Sequence, residues 1–185
     1  MSSGRVGANI PAAYRAALPI EDVEIWSCTA KNARDLAETL RRQNFSATAA
    51  TNLEAAVGRA DIVSSATLTR EPILKGIWLK PGQHLDLIGS LTPDMRKADD
   101  DVIRQARVFL DTDHAKGESG DIRIPLESGV IDEANIAGTL QDLCRHDLFR
   151  RASNNEITLF KGVATAIEDL SAAALAAPFV SEARP

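Results

Sequence analysis

A chain of 185 residues has room for one domain, or one domain with a small appendage. Its net charge of −5, with Lys and Arg scattered in short runs, excludes an electrostatic case for binding nucleic acid or an anionic membrane surface. Aromatic residues make up 4% of a chain that is 44% hydrophobic, so the core must be built mainly from Ala, Leu, Ile and Val.

The first recognisable feature is Gly4-Arg5-Val6-Gly7, followed by helical spacing over residues 8–18. Ala8, Ala12 or Ala13 and Ala16 would form a small-residue face, with Pro11 in the first turn, where its missing N–H is harmless. Residues 23–26 read as a short buried strand. Helical spacing then brings Ala33, Leu36, Ala37 and Leu40 together behind Thr29 as N-cap. A third strand-type element follows at 46–50, and a short helix at 52–60. Residues 61–67 and 84–89 read as buried parallel strands, 99–106 as a helix with an acidic start, and 107–112 as another strand. Beyond this the pattern loosens into helices at 138–146 and 163–177 and a strand at 156–160. The last helix is rich in Ala and needs something to pack on. Alternating strands and helices predict an open α/β sheet, mostly parallel.

Neither Cys28 with Cys144 nor the isolated His84, His114 and His146 has metal-ligand spacing, so no metal is expected. No apolar run of about 18 residues spans a membrane. The opening lacks a secretory signal pattern, and a cytoplasmic protein is expected.

A dinucleotide-binding loop brings backbone N–H groups close to a pyrophosphate at a helix start, which is why it is rich in glycine. Ser2-Ser3-Gly4-Arg5-Val6-Gly7 carries two glycines at suitable spacing, but the first glycine of the usual pattern and the strand before it are absent. The alternative is an N-terminal segment that merely caps a helix. The strand at 23–26 stands where the second strand of a βαβ unit belongs. At its end, an NAD site would place a carboxylate on the ribose. This chain has Ser27, Cys28, Thr29 and Lys31, which favours NADP(H) over NAD, because hydroxyls and a cation accept a 2′-phosphate. Ser27 and Thr29 also suit a capping role.

The stretch from Ala60 to Thr112, with "ESGDIRIPLESGVI" and "NEITLFKGVATAIEDLSAAALA", resembles the ornithine cyclodeaminase and mu-crystallin family. The resemblance implies a Rossmann-like NAD(P)-binding domain over 1–145. It also implies a C-terminal segment, 146–185, that returns to a substrate and dimerisation domain. That second domain is built mainly from an N-terminal third, which supplies the Arg and Lys that hold the substrate carboxylate. That third, and the first strand of the sheet, have no counterpart in this sequence. The expected consequence is an isolated chain of poor stability, or one that relies on a partner to cover the gap. A homodimer is implied.

On the same resemblance, Gly4, Arg5, Val6 and Gly7 match the pyrophosphate loop. Ser27, Thr29 and Lys31 fall where the adenosine ribose is read, with Cys28 in place of a typical Arg. Thr67 matches a cofactor-contacting Thr. Ile88 and Gly89 match the loop near the nicotinamide, and Gly162 and Val163 match the pair on its other side, where a Ser is replaced by Gly162. Leu91 stands where cyclodeaminases carry a catalytic Asp, and Leu cannot move a proton. The loop "GSLTPDM" is similar to that of the reductase-like members, which act on small cyclic imino acids such as pyrroline-2-carboxylate or piperideine-2-carboxylate. The alternatives are ornithine cyclodeaminase itself, or a non-catalytic remnant that binds nucleotide or a partner.

Among other residues, Asp86 and Asp111 at strand ends either face a crevice or serve turns. Glu118 and Asp121 either tune a site or shape a loop and a helix start. Lys161 either approaches the cofactor or, as is expected of a strand-end lysine, is solvated. Trp26 and Trp78 are expected in the core or at a domain contact rather than as substrate platforms.

Overall fold

A computed structural model describes residues 4–89, 92–145 and 151–182. Strands and helices alternate through α1 (Arg5–Ala17), β1 (Asp22–Ile25), α2 (Ala30–Arg42), β2 (Ser46–Ala49), α3 (Leu53–Arg59) and β3 (Ile62–Ser65). There follow β4 (His84–Ile88), α4 (Asp100–Gln105), β5 (Ala106–Leu110), the short α5 (Ala115–Glu118) and α6 (Gly120–Glu127). The chain closes with β6 (Ile136–Thr139), α7 (Leu140–Arg145), β7 (Ile157–Gly162) and α8 (Ala166–Glu182).

Every recorded strand pairing is parallel. One sheet has two strands, β1-β2, and the other has five in the order β3-β4-β7-β5-β6. Parallel strands covered on both faces need nearly continuous apolar runs. β4 is buried on both faces, at Leu85, Asp86 and Leu87, and the one carboxylate among them accepts from Ser64. β7 lies between β4 and β5, so the sheet runs well past residue 145.

The main core surrounds the five-stranded sheet, around Leu74, Leu85, Val102, Ile103, Val108, Leu110, Ile122 and Leu159. A second cluster joins the buried stripe of α2 (Ala33, Leu36, Ala37, Leu40) to Ile25, Phe45 and Ala47. Burying Leu36 and Leu40 contributes about 2 kcal/mol each. Thr29 stands at the N-cap of α2, although its side chain makes no capping hydrogen bond.

Several expectations are corrected. α1 begins at Arg5, so Pro11 lies inside the helix rather than in its first turn. The buried face of α1 is Gly7 and Pro11, and Ala12, Ala13 and Ala16 are exposed. The start of the helix expected at 138–146 is instead strand, because Gly138 and Thr139 belong to β6 and pair with β5. α6 begins at the helix start expected around Glu118 and Asp121, with Ser119 as its N-cap. Along α8 the side chains of Ile167, Leu170, Leu175 and Phe179 are 68–76% exposed. No described helix is long and apolar enough to cross a membrane.

Candidate functional site

In a parallel sheet all carboxyl ends lie on one edge, and the crevice outside that edge is where ligands bind. The candidate residues sort to this edge. Ser27, Thr29 and Lys31 follow β1, Thr67 follows β3, Ile88 and Gly89 end β4, and Gly162 and Val163 end β7. α1 points its N-terminus the same way. Its other end is pinned at the amino end of β2, where Arg15 donates to the carbonyls of Asn44 and Gln43, both at 3.2 Å, and stacks on Phe45. Gly4 is therefore the N-cap of a helix aimed at the crevice, with Arg5 and Val6 exposed and Gly7 buried beneath. No side chain caps this first turn and it carries no carboxylate, which leaves an end suited to a pyrophosphate.

After β1 the hydroxyl of Ser27 accepts from the Thr29 amide at 3.4 Å. Lys31 pairs with Asp35 at 2.6 Å across one exposed helical turn. Thr67 and Ser65 share a hydroxyl hydrogen bond of 3.2 Å beyond β3.

At the other end of the crevice β4 and β7 are laced together. The Gly89 amide donates to the Gly162 carbonyl at 2.8 Å. Gly89 has φ +73°, and a Cβ added there would meet nothing within 4 Å, so the loop leaves open space where a flat ring could approach. Asp111, at the end of β5, accepts from Val163 at 2.6 Å, Ala164 at 2.8 Å and Thr112 at 2.7 Å. These bonds hold Ala164 in the left-handed region at φ 70°. Asp111 thus serves the turn that carries Val163. Leu91 lies outside the described residues.

Beneath Gly89 sits a charged cluster that sequence reasoning missed. Lys97, Lys161 and Asp121 are all fully buried. Both lysines donate to the Gly89 carbonyl, Lys161 at 2.5 Å. Asp121 lies 3.3 Å from the Lys161 Nζ and 3.7 Å from that of Lys97, and accepts from the Lys97 and Ala98 amides. Lys161 is therefore not a solvated strand-end lysine. Burial pushes its ammonium down to about 8, with Asp121 opposing and the like charge of Lys97 adding to the fall.

A second buried carboxylate, Asp86, accepts from Ser64 at 3.0 Å and from the Tyr14 hydroxyl of α1. Burial first, and then the charge of Asp86, push that hydroxyl well above the ordinary tyrosine range. His84, one strand turn earlier, meets Thr158 at 2.8 Å, and burial pulls its imidazole below the usual histidine value. Trp78 packs half-buried against the main core, as expected. Glu118 is exposed. Among the described residues no group of His, Cys, Asp and Glu could hold a metal ion.

A parallel α/β sheet with an uncapped helix N-terminus at its carboxyl edge defines a Rossmann-like protein of the dinucleotide-binding class. The particular branch follows from sequence: residues 2–182 match the ornithine cyclodeaminase/mu-crystallin family, and the chain belongs to it. The chain is 42% identical over 172 residues to the Delta(1)-pyrroline-2-carboxylate reductase of Paracoccus denitrificans, covering 92% of this chain and 54% of that protein. It is 33% identical over 156 residues to the ketimine reductase mu-crystallin of Mus musculus, covering 84% of this chain and 46% of that one. Among solved structures, the Thermococcus litoralis Delta(1)-pyrroline-2-carboxylate reductase in complex with NADH and L-proline superposes with a TM-score of 0.91 at 33% identity. That match covers 95% of this chain and 55% of the other. The chain spans about half the length of the curated relatives it matches.

Proposed function

We propose that this chain carries the nicotinamide-dinucleotide site of a reductase acting on a small cyclic imino acid of the pyrroline-2-carboxylate type. The observation that carries this reading is the crevice itself. The first turn of α1, the hydroxyls after β1, and the Gly89–Gly162 loops occupy the carboxyl edge of a sheet like that of a relative bound to NADH and L-proline. In this reading Gly4, Arg5, Val6 and Gly7 hold the pyrophosphate. Thr67 contacts the cofactor, and Ile88, Gly89, Gly162 and Val163 border the nicotinamide. When bound, the cofactor supplies a hydride to the imine carbon while a proton goes to the ring nitrogen. The residues of this chain orient the ring and keep the crevice shaped. Ser27, Thr29 and Lys31 favour NADPH over NADH, and Lys31 would exchange Asp35 for the 2′-phosphate. The exposed apolar side chains of α8 suit pairing with a second copy.

Titrating the purified chain with NADPH and with NADH, followed by nicotinamide fluorescence, tests the site. NADPH should bind more tightly, and Lys31→Glu should remove that preference. A folded chain that binds neither nucleotide would overturn the proposal. With nucleotide bound, pyrroline-2-carboxylate is the substrate to assay, and formation of proline and ammonia from ornithine would replace the reductase reading with the cyclodeaminase one.

A further inference from the structure

Lys97, Lys161 and Asp121 put an uneven charge beneath the Gly89 loop. All three are fully buried. Lys161 comes from β7, Lys97 from the segment before α4, and Asp121 from the first turn of α6. The sheet adds no charge on this face, because the residues in register with Lys161 are Leu87 of β4 and Leu110 of β5, both fully buried. Asp86 and Asp111 fall one residue off that register, so their side chains alternate to the other face. There Asp86 takes the Ser64 hydroxyl, and Asp111 takes the amides of Val163 and Ala164. Around α4, Arg96 pairs with Asp100, and Asp99 accepts from the Gly76 and Val102 amides. Among the described residues, two ammonium groups therefore share one carboxylate, a surplus of one positive charge.

The surplus is fixed in place. Asp121 accepts from the Lys97 amide at 2.5 Å and the Ala98 amide at 3.1 Å. α6 comes so close to the segment carrying Lys97 that a Cβ on Gly120 would lie 2.6 Å from the Pro93 carbonyl oxygen. Both ammonium groups donate to the Gly89 carbonyl, which ties the charge to that loop. Two buried cations with one counter-charge cost the fold stability. In the function proposed above, Gly89 borders the nicotinamide. That ring is neutral when reduced and carries one positive charge when oxidised, while the phosphates are the same in both forms.

On that cofactor reading, we propose that the Lys97–Lys161–Asp121 cluster makes the site select the oxidation state of the nicotinamide, favouring the neutral reduced ring over the cationic oxidised one. The repulsion acts on the oxidised ring alone, and it is weakly screened because the cluster is buried. The site then loads reduced cofactor and readily releases the oxidised product.

The test uses the full chain. Kd for NADPH is read from nicotinamide fluorescence, and Kd for NADP+ from its displacement of NADPH. Their ratio cancels the phosphates and any general loosening of the loop. NADPH should bind more tightly at pH 7. Lys97→Met removes one ammonium and should improve NADP+ relative to NADPH on the order of fivefold. Raising the pH from 7 to 9 should move the ratio of the natural chain the same way, because Lys161 gives up its proton at about 8. Lys161→Met should abolish that pH response. A ratio unmoved by Lys97→Met, a flat pH response in the natural chain, or an equal loss of both nucleotides in the variant would overturn the proposal. A natural chain that binds neither nucleotide would overturn the cofactor reading itself, and this selection with it.

Discussion

Lys161 offers a direct test of the buried charge cluster. Its folded value of about 8 lies below the ordinary 10.5, and burial is the main cause. Below pH 8 the ammonium is charged in both the folded and unfolded chain, so its burial penalty is fully present and stability does not change with pH through this group. Between pH 8 and 10.5 the unfolded chain binds a proton that the folded chain has released, so stability rises with pH. The shift corresponds to about 3 kcal/mol across that window. Tyr14 acts in the opposite sense: its hydroxyl is held protonated in the fold, so it draws stability down once pH passes the ordinary tyrosine value of 10.0. The rise should therefore be read between pH 8 and 10, by urea unfolding at closely spaced pH values. Lys161→Met should flatten the curve there, whatever it does to stability at neutral pH. Lys97→Met removes the like charge and should shrink the rise without abolishing it. An unchanged slope in Lys161→Met would assign the titration to another group and refute the reasoning.

The turn held by Asp111 should be equally sensitive. Asp111→Ala leaves the Thr112, Val163 and Ala164 amides without their acceptor, a loss of about 3–5 kcal/mol in urea unfolding. Asp111→Asn keeps one oxygen and should lose roughly half as much. Gly120→Ala would place a Cβ 2.6 Å from the Pro93 carbonyl oxygen and 2.7 Å from that of Met95. It should cost about 2 kcal/mol or more, while Gly117→Ala, with nothing within 4 Å, should be neutral or mildly stabilising; equal thermal shifts in the two would contradict the packing argument. His84 is lowered below its ordinary 6.5, so the unfolded chain takes up its proton first and stability falls as pH drops below that value. His84→Gln should weaken this acid sensitivity between pH 6.5 and 4.5, and a steeper fall in the variant would count against it.

What could be read in the sequence was local. The stripe of α2 follows from helical spacing alone, and β4 from its apolar run. α1 was harder, because Pro11 imitates a first-turn proline and the alanines imitate a buried face. The packing surface is instead Gly7 and Pro11, which face the cavity between β1 and β3. The start of α6 was legible at Glu118 and Asp121, and Ser119 accepts from the Asp121 amide there, but Gly120 and Pro125 hid how far the helix runs. β6 is four residues whose only strand signal is a partner, β5, that is distant in sequence. The buried lysines were illegible for the same reason. Nothing near Lys97 or Lys161 announces Asp121, which reaches both only once β4, β7 and α6 have come together.

The two ends of the crevice are built on different supports. The end formed by β4 and β7 rests on a closed network: Asp111 fixes the turn after β7, Gly89 and Gly162 bond directly, and Lys97, Lys161 and Asp121 fill the space below. Its geometry depends on groups that are all present in this chain. The other end rests on α1, whose buried face forms one side of the cavity between β1 and β3. Gly7 belongs to both places, since it lies in the glycine loop and lines that cavity. The first turn of α1 therefore shares its buried residue with the cavity between β1 and β3, whereas the Gly89–Gly162 pair is held by hydrogen bonds within its own sheet.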